Sequence, residues 1–135
     1  MWFVHQDFSF ELNDEWWAEA GMCGFVPASQ SYRVASKSFP ERNHYEVRID
    51  EVAPVRRQLS HGVFNNDEQT GLPAKNRVIN ILRAFVSGVA LPPIEIVRLP
   101  QGALHSHRLV HGAHRFYLSV AAGFTHVPCV DGFEV

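Results

Sequence analysis

Residues 107–130 read HRLVHGAHRFYLSVAAGFTHVPCV, and the fold turns on how this stretch is parsed. Residues 107–111 predict a strand. Ala113, Phe116, Tyr117, Val120 and Ala121 then recur at helical spacing, Gly123 stands where a helix would stop, and residues 126–130 predict a final strand. At the junction of strand and helix sit Gly112 and Ala113. There the first N–H groups of a helix have no carbonyl partner and the positive end of its dipole emerges. Small side chains let an anion approach that backbone, and Arg115 can add forked, charge-assisted bonds. The turn Gly112, Ala113, His114, Arg115 is therefore read as a cradle for a phosphate group, with helix capping as the plainer role for His114.

Working toward the N-terminus, Pro92 and Pro93 precede a predicted strand at residues 94–99, and Pro100, Gln101 and Gly102 turn the chain back toward residue 107. Before them, Val78, Leu82, Phe85 and Val86 form the stripe of an amphipathic helix over residues 75–87, started after Pro73 and ended at Gly88. Residues 60–71 are polar and turn-rich, and residues 44–49 predict another strand. The opening MWFVHQDFSFEL alternates as a strand, after which Asn13 or Asp14 caps a short helix that Gly21 ends. Residues 23–43 have little periodicity and read as a covering loop. The division expected is an extension over 1–43, packed on a core domain over 44–135.

Length and composition restrict the function classes. With 135 residues, 46% hydrophobic, the chain suits one cored body. No apolar run matches a membrane helix and the N-terminus lacks the pattern of a secretory signal. Cys23 and Cys129 lie in unrelated segments, which offers neither a disulfide framework nor a metal or redox pair, so a cytoplasmic setting is expected. Residues 1–51 hold nine acids against four bases, while residues 52–135 hold eight bases against five acids. That is an asymmetry, and not the uniform basic surface of a dedicated nucleic-acid binder. The bases are ten Arg to two Lys, a bias toward paired contacts with carboxylate or phosphate oxygens.

The segment PAKNRVINILRAFVSGVALPPIEIVRLPQGALHSHRLVHGAHRFYLSVAAGFTHVPCV, residues 73–130, resembles the sulfiredoxin and ParB N-terminal family. The points of likeness are Pro-Ala-Lys at 73–75, Pro-Pro-Ile-Glu at 92–95, Gly112-x-His114-Arg115, and Val127-Pro128. The resemblance implies an α+β fold, a small mixed sheet with flanking helices. Sulfiredoxins carry Gly-Cys-His-Arg at the turn, bind ATP phosphates there, and use the Cys as nucleophile. Ala113 stands at that Cys position, so sulfinic-acid reduction by that route is not expected. ParB proteins carry Gly-Glu-Arg-Arg and grip the triphosphate of CTP. Only Gly112 and Arg115 match that version, which leaves ATP or CTP open. The resemblance brings no DNA-reading element.

Carried over position by position, the resemblance adds Lys75, and Arg56 or Arg57, to Gly112, Ala113, His114 and Arg115 around a nucleotide accompanied by Mg²⁺. An acid beside the turn would accept a proton or hold the metal, which makes Asp50, Glu51 and Glu95 candidates, with His114 as a further one. The functions this implies are phosphate or nucleotide binding, with nucleotide hydrolysis or phosphoryl transfer as the chemistry in an enzyme. Two other readings stay open: a non-catalytic interaction module of a DNA-partition, phage or toxin-related system, with a protein or DNA partner, and a ParB-like nuclease. His105, His107 and His111 invite a metal reading, because alternate strand positions share a face, yet no Cys or acid stands at zinc spacing beside them. No metal site is expected from them. Trp16 and Trp17 are expected to pack as core or lid.

Overall fold

A computed structural model describes residues 1–35, 43–54 and 74–132. Its element order is β1 (Trp2–His5), β2 (Phe8–Glu11), α1 (Asp14–Glu19), β3 (Tyr45–Arg48), a turn of 3-10 helix (Ile49–Glu51), β4 (Val52–Ala53), α2 (Ala74–Ser87), β5 (Ile94–Arg98), β6 (His107–His111), α3 (Ala113–Ala122) and β7 (His126–Asp131). The class is α+β. Five strands form one mixed sheet in the order β3-β7-β5-β6-β4. β5 lies parallel to β7 and antiparallel to β6, while β4 runs parallel to β6.

The opening segment is not the single strand its alternation predicts. It folds into a hairpin, with Gln6 at φ 58 forming the bend between β1 and β2. Alternation survives within each arm: Phe8 and Phe10 are buried while Trp2 and Val4 face outward. Asn13 caps α1 as its sequence suggests, its side chain accepting from the amides of Glu15 and Trp16. Trp17 packs against Phe3 at 5.6 Å between ring centroids.

The hairpin packs against α3. Phe116, Tyr117, Leu118, Ser119, Ala121 and Ala122 are all buried, a wider band than one amphipathic stripe, while Ala113 and Val120 are only half-buried. Phe8 and Phe10 close on Tyr117 at 5.4 and 5.1 Å, and the imidazole of His5 meets Phe116 edge-on at 5.0 Å. α3 thus packs against the hairpin, the sheet and α2, and its buried band is wider than one stripe. α2 likewise buries Val78, Ile79, Ile81, Leu82 and Phe85, whereas Val86 of the predicted stripe stays exposed.

One irregularity in the sheet positions the site. Ile96 pairs with Leu109, but Glu95 pairs with His111, leaving Val110 as an extra residue on β6. A bulge of this kind interrupts the alternation of faces. His111 is thereby set beside Glu95 at the mouth of the turn into α3.

Candidate phosphate-binding turn

β6 ends at His111, and Gly112 turns the chain into α3 with φ 100 and ψ 31. The first α-helical bond runs from the Phe116 amide to the Gly112 carbonyl, at 2.9 Å. The amides of Ala113, His114 and Arg115 precede that bond, and Gly112 has no side chain with which to cap them. Residues 112–115 are half-buried rather than sealed. Glycine is required at 112 twice over. The left-handed backbone disfavours any side chain, and a β-carbon there would stand 2.8 Å from Ile94 Cγ2 and 3.0 Å from a terminal nitrogen of Arg115.

That last distance fixes the position of the guanidinium: it folds back over its own helix start and lies against Gly112. The same terminal nitrogen donates to the Pro93 carbonyl at 3.3 Å, and Nε is buried without a hydrogen-bond partner among the described residues. Beside it is Tyr32, whose hydroxyl donates to the Pro92 carbonyl at 2.7 Å. Burial pushes the Tyr32 phenol well above its ordinary range, and the nearby Arg115 charge acts in the opposite direction. The phenol therefore keeps its proton.

The candidates fall into three groups. Glu95 joins the turn: its carboxylate lies 4.0 Å from His111 Nε2, and its side chain is 20% exposed where that of His111 is 71% exposed. His114 is half-buried in the first turn of α3. Asp50 and Glu51 lie elsewhere. They precede β4, which begins opposite His107, so they sit at the other end of β6; Asp50 bonds Arg48, and the Glu51 carbonyl accepts from the Ser106 amide. Lys75 is turned toward α1, 3.7 Å from Glu19. Arg56 and Arg57 lie outside the described residues.

The histidines do not assemble. His105 Nε2 faces the Gln6 side-chain oxygen at 2.8 Å, His107 is buried with neither ring nitrogen hydrogen-bonded among the described residues, and His111 projects into solvent. Among the described residues no three His, Cys, Asp or Glu side chains group so as to hold a metal ion. A cavity of about 390 Å³ lies under the β5–β6 loop, lined by residues 98–107, at the end of the sheet away from the turn. Among the described residues no helix is long and apolar enough to cross a membrane.

Tyr32 and the Pro92 and Pro93 carbonyls are the parts of this site that sequence reasoning missed. Tyr32 is separated from its acceptor by 60 positions in a stretch without periodicity, and nothing local marks it.

No family model matches the chain, and no curated protein does. Among solved structures it is similar in fold to the crystal structure of sulfiredoxin from Arabidopsis thaliana, at 12% identity and a TM-score of 0.47, over 68% of this chain and 86% of that one.

Proposed function

We propose that this chain binds the phosphate group of a nucleotide, together with Mg²⁺, at the turn from Gly112 to Arg115. The observation that carries the reading is the placement of the Arg115 guanidinium against Gly112, over a helix start whose cap residue has no side chain. Amides and a fixed positive charge then converge where an anion gains most from both. Glu95, beside the turn, is the acid best placed to hold Mg²⁺ or to accept a proton in hydrolysis or phosphoryl transfer. With Ala113 in the turn, the backbone supplies binding and charge, and no covalent intermediate forms there.

The test is a thermal-denaturation titration with ATP, ADP, CTP and GTP, with and without Mg²⁺. One nucleotide is expected to raise stability by roughly 2.7 kcal/mol at one hundred times its dissociation constant. Arg115→Ala is expected to weaken that ligand on the order of 10- to 100-fold, the range for losing hydrogen bonds to a charged group. If no nucleotide stabilises the protein, the proposal is wrong. A second reading, an interaction module, has its own support: Trp2 and Val4 are 69% and 60% exposed on the outer face of β1, and Leu104 is 93% exposed at a loop tip. Retention of a protein partner that Trp2→Ser abolishes, with nucleotides inert, would favour it. Metal-dependent nicking of DNA would favour a nuclease.

A further inference from the structure

The bend between β1 and β2 is made by a residue poorly suited to it. Gln6 takes φ 58, and among the described residues it is the one non-glycine in the left-handed region. Its side chain reaches across the molecule: the amide nitrogen donates to the Asp50 carbonyl at 2.6 Å, and the amide oxygen lies 2.8 Å from His105 Nε2. With the nitrogen fixed as donor, the oxygen can only accept, so His105 Nε2 carries the hydrogen. His5, the residue before it, donates from Nε2 to the Val52 carbonyl at 2.7 Å. The bend is thus moored to the 3-10 turn and to β4, and from that mooring it holds one residue of the β5–β6 loop.

That loop roofs the cavity of about 390 Å³, whose lining includes Arg98, Leu99, Pro100, Ala103, His105 and His107. Arg98 and His107 are direct partners across β5 and β6, so their side chains share a face. It is also the face of Ile96 and Leu109, the preceding rung, both buried in the core. The row therefore passes from apolar side chains to a guanidinium and an imidazole where it reaches the cavity. Of the neighbouring charges Arg98 acts most on the ring, ahead of Glu51 or Asp131 taken singly. His107 is 8% exposed, and both its nitrogens are buried without a hydrogen-bond partner among the described residues. A buried donor and acceptor in that state are costly, and a polar group entering the cavity would satisfy them. The roof itself is lightly built: residues 100–104 are exposed, and the Ala103 amide bonds within the loop, to the Pro100 carbonyl at 3.1 Å.

We infer that this cavity is a binding site for a small carboxylate with a short apolar body, held by Arg98 and His107, and that the β5–β6 loop is its lid, latched by Gln6. Carboxylate oxygens accept from the guanidinium fork and from the imidazole N–H, while Leu99, Pro100 and Ala103 meet the hydrocarbon. With the loop in place the ring nitrogens are covered, so entry requires His105 to leave Gln6. The site lies at the opposite end of β6 from the Gly112 turn and stands whether or not a phosphate binds there.

Butyrate is the probe, with butyramide as its uncharged counterpart. In ¹H–¹⁵N spectra of the full chain, with the His107 ring signals assigned by their absence in His107→Gln, butyrate is expected to shift them saturably, and butyramide at the same concentration is not. Arg98→Gln, a change at an exposed position, should weaken butyrate roughly 10-fold or more, the loss expected for a hydrogen bond to a charged group. Gln6→Gly removes the latch and suits the left-handed backbone, so the protein should stay folded. In it, amide hydrogen exchange of residues 101–105 should quicken several-fold, and butyrate should bind and leave faster. The absence of a saturable shift at His107, or an equal response in the Arg98→Gln protein or to butyramide, overturns the site. Unchanged loop exchange in Gln6→Gly overturns the lid.

Discussion

The two ends of β6 each carry a histidine, four residues apart in one short strand, and the fold treats them in opposite ways. His107 is 8% exposed, paired across β5 with Arg98, and neither of its ring nitrogens has a partner among the described residues. His111 stands in solvent beside Glu95, where the chain turns into α3. At the first end the β5–β6 loop closes on itself, the Leu99 amide donating to the Ser106 carbonyl at 2.8 Å, and the Ser106 amide reaches the Glu51 carbonyl. At the second, the helix start is half-buried and its cap residue, Gly112, has no side chain. A buried imidazole without partners costs stability. A half-buried helix start with a placed guanidinium costs little.

The sharpest way to break this contrast is to substitute a glycine at each end. Gly112 and Gly102 share a left-handed backbone, with φ 100 and 93, but a β-carbon at 102 meets nothing within 4 Å, whereas one at 112 drives into Ile94. Gly112→Ala is expected to destabilise the protein by about 2–4 kcal/mol, the conformational cost plus overpacking, and Gly102→Ala by only about 1 kcal/mol. Chemical denaturation measures both, and equal losses would show that the turn is not tightly packed.

Acid comes next. His107 is held below the ordinary histidine range by burial, with Arg98 adding to the effect and Glu51 and Asp131 opposing it. His5 is held below that range too, chiefly by burial and against the bond its Nε2–H donates to the Val52 carbonyl at 2.7 Å. Because the unfolded chain takes up these protons more readily than the folded one, stability is full above the ordinary value of 6.5 and falls as pH drops from there through the lower folded values. His107→Leu should flatten part of that fall and cost at most about 1 kcal/mol at neutral pH, since no hydrogen bond is lost. Denaturation midpoints from pH 7.5 to 5 would show it; an unchanged acid slope would mean that His107 is not the sensitive group. The smallest effect is expected at the other end. His111→Ala should stay within about 0.5 kcal/mol at neutral pH, as for other exposed positions.

Much of the site's frame was legible from short-range pattern. The helix over Ala113–Ala122, its stop at Gly123 with φ 93, and the strands on either side all follow from periodicity and from glycine placed where a left-handed residue is needed. The asparagine cap of α1 was equally local. What the pattern misjudged was coverage. Leu118, outside the predicted stripe, is fully buried, and a helix sequence carries no record of how many neighbours will pack against it.

Residues 109–123 on their own determined that a strand would pass through a glycine into a helix, with an arginine in its first turn. These are properties of adjacent residues, set by backbone sterics and by side-chain periodicity, and they need no long-range information. The tertiary structure alone decided that a bulge would bring Glu95 and His111 together, that Asp50 and Glu51 would lie at the far end of β6, and that Tyr32 and Arg115 would take the consecutive carbonyls of Pro92 and Pro93. Each of these depends on pairing register or on contact between segments distant in the chain, where a shift of one residue exchanges the faces of a strand and no local preference favours the right one.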